Sequence, residues 1–291
     1  MEQILSTLIN GLSLGGIYAM IALGYTMVYG IAKMLNFAHG DIIMVGGYAM
    51  YVTLLLIGQP IVALIAAVVL CVVLGVCVER FAYKPLRGAS PLAVLITAIG
   101  VSYLLQSLAL VFFGADSKTV VVFDLGVWHI GNLQVRVSTV ITLLATVAVM
   151  AVLSLFVKYS KTGRAMVAVS EDRDAARLMG ININKIITIT FAIGSALAAL
   201  AGLFSLMDVP SLSPSFGALP GIKAFTAAVI GGIGSIPGAM VGGILLGVVE
   251  CICNSFPALA PYTIAIEFAI LIIILLVKPT GILGKKRREK V

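Results

Sequence analysis

The residues of this sequence that could do chemistry are few, and they stand in or beside long apolar runs. Asn36, His39 and Asp41 fall together between the first two runs, and Glu250 and Glu267 stand inside late ones. If the runs cross a membrane, such groups are costly there, and they commonly line a transport path or pair with one another. We expect the first three either to line a path or to occupy an interfacial helix start. We expect the two glutamates to be paired or interfacial.

None of these residues belongs to a catalytic or metal-binding pattern. His39 and His129 are far apart, and Cys251 and Cys253 lack the Cys-x-x-Cys spacing of a zinc site. There is no phosphate-binding G-x-x-x-x-G-K-[ST] run, and no nucleophile and base can be paired for a membrane-embedded enzyme. The sequence therefore predicts no metal, cofactor or nucleotide site in this chain, so ATP, if it drives the protein, binds to another chain.

The composition indicates what must position these residues. Of the 291 residues 61% are hydrophobic and only 11% are charged, which leaves too little polar surface for a soluble globule. The apolar runs cover 4–31, 42–57, 61–78, 92–113, 138–157, 186–207, 224–249 and 263–277. Because roughly 20 apolar residues cross a bilayer as a helix, they predict an all-α, polytopic protein embedded in membrane lipid. We expect a single transmembrane domain over 1–291 with about eight or nine membrane segments.

The charge of +7 would suit a nucleic-acid partner only if it were spread over an exposed face, and it is not. Most of the 19 Lys and Arg residues gather in three connections between runs, at 80–87, 158–185 and 278–290. The positive-inside rule places these connections in the cytoplasm. The sequence thus predicts a cytoplasmic loop at 158–185, a basic cytoplasmic tail at 278–291, and no nucleic-acid partner.

The connection 114–137 is predicted to be external, because it lies between two cytoplasmic clusters along the chain. Its segments 120–123 and 134–137 are β-prone and are separated by Asp124 and glycines. This pattern predicts a small external hairpin formed by those two segments.

The run G-G-I-G-S-I-P-G at 231–238 interrupts the seventh apolar run, since glycine and proline break helices. Helix-free backbone at membrane depth is tolerated only where it is buried in protein or lines a water-filled cavity. We therefore predict a broken, partly re-entrant hairpin beside a transport path. The candidate path residues are Asn36, His39, Asp41, Gly231, Gly232, Gly234, Ser235 and Gly238.

Glycines four residues apart, such as Gly11 with Gly15 and Gly243 with Gly247, predict close helix contacts. We expect these contacts to form within this chain rather than between two copies of it.

The connection 158–185 contains the most informative polar stretch. Ser170 is predicted to cap a short helix over 171–179, and Gly180 is predicted to end it. Ala175, Leu178 and Met179 share one face by helical spacing, as helix-in-groove recognition by a partner requires. The alternative is a helix that lies on lipid or packs on its own loop.

Four stretches of this chain resemble transporter motifs. D-A-A-x-x-x-G at 174–180 resembles the E-A-A-x-x-x-G core of ABC importer permeases, with Asp174 in place of Glu. The stretches N-G-L-S-L-G-G-I-Y-A at 10–19, N-F-A-H-G-D at 36–41 and G-G-I-G-S-I-P-G-A at 231–239 resemble the H-type permease of branched-chain amino acid importers. These matches occur in order along nearly the whole chain.

The resemblance implies a type II importer-like permease in a bacterial cytoplasmic membrane, with its C-terminus inside the cell. It implies a heterodimer with an M-type permease, two subunits that bind ATP and Mg, and an external binding protein that delivers Leu, Ile or Val. The short helix would then be the helix that couples to the ATPase. The implied coupling residues are Glu171, Asp172, Asp174, Ala175, Ala176, Leu178, Met179 and Gly180. The rival hypothesis is an ion-coupled secondary amino acid transporter, which also uses broken helices and intramembrane carboxylates.

Overall fold

The structure is a computed structural model that describes residues 2–123, 125–130 and 133–284. Long apolar runs have become long helices, as the composition predicts. The helices are α1 Glu2–Ala32, α2 His39–Ile57, α3 Pro60–Val78, α4 Pro91–Phe113, α5 Val137–Tyr159, α6 Lys161–Glu171, α7 Arg173–Leu178, α8 Ile183–Asp208, α9 Ala218–Gly231, α10 Ile236–Ser255 and α11 Thr263–Val277. A π-helical segment, Glu79–Tyr83, and a 3-10 turn, Lys84–Leu86, extend α3, and a second 3-10 turn, Ala260–Tyr262, precedes α11.

Within the described part of the chain, eight helices are long and apolar enough to cross a membrane. They are α1, α2, α3 with its extension, α4, α5, α8, α10, and α11 with its preceding turn. The apolar α9 has 14 residues and a length of about 21 Å, so it is too short to cross alone. The prediction of a polytopic helical membrane protein with broken segments is confirmed.

One end of the bundle collects the basic connections, and we call it the basic end. There the Arg173 guanidinium donates from Nη2 to the carbonyl of Ile31 at 2.9 Å, which brings α7 to the end of α1. The Ile282 amide donates to the Ile230 carbonyl at 2.8 Å, which brings the chain after α11 to the end of α9. At the opposite end the hydroxyls of Thr7 and Ser255 lie 3.1 Å apart, which brings the end of α10 beside the first turns of α1.

The seam between α1 and α10 consists of glycines. A Cβ built on Gly15 would lie 2.7 Å from Cα of Ile244, and one built on Gly11 would lie 3.0 Å from Cα of Val248. Gly243 and Gly247 face α1 from the other side, against Ala19 and Gly15. The small residues thus let two backbones touch within one chain, as their spacing predicts.

The predicted broken hairpin is present. α9 ends at Gly231, residues 232–235 are not helical, and α10 begins at Ile236, where the Ser235 hydroxyl accepts a hydrogen bond from the Gly238 amide. Gly232 and Gly234 have φ values of +108° and +95°, which favour glycine. At the other end of α9, a Cβ on Gly221 would lie 3.0 Å from Cα of Gly40. α9 therefore starts beside the start of α2, inside the bundle, and descends to the basic end.

The connection 114–137 holds a hairpin, and one of its strands is the predicted segment 134–137, shifted by one residue. Strand β2, Val127–Ile130, pairs with β3, Leu133–Arg136, while β1, Lys118–Thr119, pairs with β4, Ser211–Leu212. The prediction that 120–123 forms a strand of the hairpin is wrong. Val120 and Val122 are buried in the bundle core, so their apolar side chains anchor the loop instead of pairing with 134–137. The tail residues 285–291 of the predicted segment 278–291 lie outside the described residues.

Candidate functional site

The short helix of the basic connection is α7, and its start differs from the prediction. Ser170 is not the cap, because it lies in the last turn of α6 and its hydroxyl donates to the Val167 carbonyl at 2.7 Å. Asp172 is the cap, and its carboxylate accepts from the amides of Asp174 and Ala175 at 3.0 Å each. A carboxylate satisfies the orphan amides and the positive helix end at once. Glu171 consequently ends α6 instead of starting α7.

The end of α7 is closed tightly. Gly180 has a φ of +82°, and the Ile181 amide donates to the Ala176 carbonyl at 3.0 Å. The Gly180 amide donates to the Arg177 carbonyl at the same distance, so the pattern is the left-handed glycine stop that the sequence predicts. This closure leaves Leu178 and Met179 at the C-terminal end of α7, before the short connection 180–182 to α8.

The surface of α7 carries most of the predicted coupling residues. Leu178 and Met179 are 88% and 82% exposed, and we call these two residues the α7 tip. Exposed with them are Glu171, Asp172, Asp174, Ala175 and Gly180. Ala176 is buried against the chain's own bundle and does not belong to this surface. The geometry is that of an apolar tip on a rigid, capped turn, flanked by carboxylates.

Behind α7 lies a polar network that joins three parts of the chain. Glu79, in the π-helical segment, is 2% exposed and pairs with the Arg87 guanidinium. Arg87 also donates to the Asn184 side chain, and the Thr188 hydroxyl donates to Glu79 at 2.9 Å, so the start of α8 is held to the end of α3. Burial lowers the pKa of the Arg173 guanidinium from its usual range, and the nearby charge of Arg87 lowers it further.

Asn36 belongs to this region rather than to a cavity. The Tyr83 hydroxyl donates to the Asn36 side-chain carbonyl at 2.8 Å, and both residues are buried. Tyr83 lies in the π-helical segment, a wide turn of the kind that often marks functional positions. The contact fixes the connection between α1 and α2 to the end of α3.

His39 and Asp41 are buried at the start of α2, and each has its own partner. The His39 ring packs edge-on to the Tyr25 ring, with centroids 4.8 Å apart, in a space that opens because Gly24 has no side chain. The Asp41 carboxylate accepts a hydrogen bond from the Gln106 amide at 2.8 Å. Asn36, His39 and Asp41 thus contact three different elements and do not gather around one open cavity.

The glycines of the broken hairpin are packed against backbone. A Cβ on Gly232 would lie 2.6 Å from the Gly284 amide nitrogen, and Gly231 packs on Gly238 between α9 and α10. Gly234 lies beside Gly30, near the end of α1. The structure therefore places the predicted path residues of the broken hairpin at the basic end, while His39 and Asp41 lie deeper in the bundle.

An apolar groove of about 640 Å³ lies between α2, α3 and α4. Tyr48, Leu70 and Phe113 are among the residues that line it, and no predicted path residue does. The groove is therefore separate from the predicted path residues of the broken hairpin and from Asn36, His39 and Asp41.

A buried ionic cluster is the main feature that sequence reasoning missed. The Lys223 ammonium on α9 lies 2.7 Å from Glu250 of α10 and 3.3 Å from Glu267 of α11. The Tyr18 hydroxyl of α1 donates to the second oxygen of Glu250 at 2.7 Å. The expectation that the two glutamates are paired is confirmed, and Lys223 is the partner. The sequence did offer a signal for this partner, because Lys223 is the one basic residue between 209 and 277.

The fold and these contacts define a polytopic helical membrane protein. Comparison with known proteins gives the family. The family model described as "Branched-chain amino acid transport system / permease component" matches residues 7–275. The chain belongs to this family, which makes it one component of a transport system.

Individual members of the family align with this chain over nearly the full length of both proteins. The chain is 40% identical to the high-affinity branched-chain amino acid transport system permease protein LivH of Escherichia coli K12, over 99% of this chain and 97% of the relative. It is 42% identical to the corresponding permease protein BraD of Pseudomonas aeruginosa, over 99% and 98%. Among solved structures, PsaBC from Streptococcus pneumoniae in complex with Fab aligns with a TM-score of 0.47 and 15% identity, over 96% and 91%.

Proposed function

We propose that this chain is the H-type permease subunit of an ATP-driven importer that carries leucine, isoleucine and valine across a bacterial cytoplasmic membrane. The family membership and the two permease relatives support the substrate class. An aliphatic side chain needs a path with apolar walls and few charges, and a chain with only 11% charged residues suits that need.

The proposed assembly pairs this chain with an M-type permease in a heterodimer. In this proposal two separate subunits bind ATP and Mg and dock on the basic end, and both this end and the C-terminus face the cytoplasm. An external binding protein delivers the amino acid to the opposite end, where β2 and β3 form a hairpin. This assignment of ATP to other chains follows from the absence of a phosphate-binding motif in the sequence.

The observation that carries the proposal is the α7 tip. Leu178 and Met179 are almost fully exposed beside carboxylates, at the end of a helix that is fixed at both ends by Asp172 and Gly180. Exposed apolar residues with a polar rim are typical of a protein interaction site. An ATP-binding subunit that grips this tip differently in its two nucleotide states biases the permease between outward and inward openings.

The test replaces the α7 tip with carboxylates, as Leu178→Asp plus Met179→Asp, in the chain expressed with its partner subunits. Val167→Asp is the matched control, since Val167 is 46% exposed on the neighbouring α6 of the same connection. We expect the double variant to reach the membrane but to lose both co-purified ATP-binding subunits and leucine uptake, while the control keeps them. If no ATP-binding subunit accompanies the wild-type chain, the proposal fails.

A second measurement separates the proposal from an ion-coupled carrier. Collapse of the proton and sodium gradients with ATP kept high leaves uptake by an ATP-driven importer largely intact. It abolishes uptake by a secondary carrier. Loss of uptake under these conditions would therefore contradict the proposal.

A further inference from the structure

Arg173 is the first residue of α7, and its side chain leaves the coupling surface and points into the bundle. Its Nη2 atom donates to the carbonyl of Ile31, in the last turn of α1, while Nε is buried. The contact joins residues 142 positions apart in the sequence. α7 therefore has a direct polar link to a membrane-spanning helix besides its chain connections to α6 and α8.

The charges around Arg173 explain why it uses this carbonyl. Glu79, the buried carboxylate of this region, pairs with Arg87, and Arg173 has no carboxylate partner among the described ion pairs. The end of α1 offers an alternative acceptor, because the last carbonyls of a helix lack donors and carry its negative partial charge. Lys33 has a φ of 54°, so α1 stops there and leaves the Ile31 carbonyl open to the guanidinium.

The end of α1 also contacts the broken hairpin. Gly30, one residue before Ile31, lies where a Cβ would be 3.5 Å from Cα of Gly234. Within one turn, α1 therefore meets α7 through Arg173 on one side and residues 232–235 on the other. The glycine seam then continues the contact between α1 and α10 to the opposite end of the bundle.

We propose that Arg173 is a positioning residue that ties α7 to the end of α1, so that displacement of α7 by an ATP-binding subunit moves α1 and the break at 232–235. The inference rests on the proposed function and adds the route by which the docked helix acts. Loss of the tie leaves docking intact, because Arg173 is not part of the α7 tip, and it uncouples ATP hydrolysis from transport.

The experiment uses the complete transporter, with the variant Arg173→Gln and the matched control Arg177→Gln. Arg177 is exposed on the same helix, so the control removes the same charge without touching α1. Co-purified ATP-binding subunits, the initial rate of leucine uptake over a range of concentrations, and ATP hydrolysis are measured on the same preparations. The ratio of ATP hydrolysed to leucine imported is the decisive readout, since a purely structural defect lowers both quantities together.

For Arg173→Gln we expect ATP-binding subunits within about twofold of wild type and an unchanged KM for uptake. We expect a maximal uptake rate lower by about fivefold or more, with the ATP-to-leucine ratio raised accordingly. For Arg177→Gln we expect a wild-type ratio. An unchanged ratio in Arg173→Gln, or an equal rise in Arg177→Gln, would overturn the inference.

Arg173→Lys keeps the charge but loses the planar fork of donors, and we expect its ratio to rise by about twofold. If the glutamine variant does not accumulate in the membrane, the lysine variant decides, and a wild-type ratio there would overturn the inference. Failure of the proposed function itself has a different signature, because the wild-type chain would then bring down no ATP-binding subunits.

Discussion

At the scale of single residues, the unusual feature is one cation between two carboxylates inside the bundle. Lys223, Glu250 and Glu267 have side chains that are 11%, 14% and 1% exposed. Each of these charges would be expensive alone in such surroundings, and together they hold α9, α10 and α11. The cluster thus fixes the short α9, which has no full membrane crossing to orient it.

The first prediction concerns Lys223→Met, which keeps the length of the side chain and removes its charge. The two carboxylates then face each other without a cation, and breaking a buried pair in this way costs about 3–5 kcal/mol. We expect a clear fall in the thermal unfolding midpoint of the purified chain in detergent. Glu267→Gln is the control, because Lys223 keeps Glu250 as a partner. Equal melting of the two variants would show that charge balance does not hold the cluster together.

At the scale of the helices, the seam between α1 and α10 shows how glycines four residues apart allow two helix backbones to touch. The three atoms nearest to a Cβ built on Gly15 are all backbone atoms of α10, namely Cα and O of Ile244 and O of Gly243. Backbone cannot move aside as a flexible side chain does, so any side chain at Gly15 pushes the two helices apart. Gly100 on α4 is the opposite case, since a Cβ there would meet nothing within 4 Å.

The second prediction uses this contrast with the same substitution at both positions. Gly15→Ala is expected to destabilise the chain by about 1–3 kcal/mol, because it overpacks the seam. Gly100→Ala is expected to stabilise it by about 0.5–1 kcal/mol, because alanine restricts the unfolded chain more than glycine does. Thermal unfolding in detergent measures both. A loss at Gly100 as large as that at Gly15 would contradict the assignment of the seam.

The elements differ in how far the sequence predicts them. Apolar runs and the glycine break predict the long helices and the α9–α10 hairpin well, because length and hydropathy act locally. The cap of α7 was misplaced, because Ser170 and Asp172 are both good caps and only the bend after α6 decides between them. Only one of the two predicted strands of the external hairpin forms, because the core buries Val120 and Val122, a long-range effect that strand propensity does not contain.

The candidate site was predictable only in part, because some of its contacts also depend on packing between distant elements. The exposed α7 tip follows from helical spacing. The partners of Asn36, His39 and Asp41, which are Tyr83, Tyr25 and Gln106, come from distant elements, and no local pattern in the sequence joins them.

At the scale of the whole molecule, the helices determine how the chain threads the membrane. α1 runs from the end near Thr7 to the basic end, and α2, α3, α4, α5 and α8 alternate in direction after it. Residues 209–231, with the short α9, return the chain to the basic end, and α10 and α11 complete the path. The two termini of the described chain therefore lie on opposite sides, which eight full crossings alone would not achieve.

The last prediction tests this arrangement with cysteines added at Gly88 and Asp116. Both positions lie in loops, Gly88 at the basic end and Asp116 at the opposite end, and a Cβ on Gly88 would meet nothing within 4 Å. Because basic loops stay in the cytoplasm, an impermeant maleimide applied to intact cells should label Asp116→Cys and spare Gly88→Cys until the cells are opened. The parent chain is the control for its native cysteines, such as the buried Cys71 and Cys253. Labelling of Gly88→Cys in intact cells would show that the topology is the inverse of the one described, with the α7 tip facing away from any ATP-binding subunit.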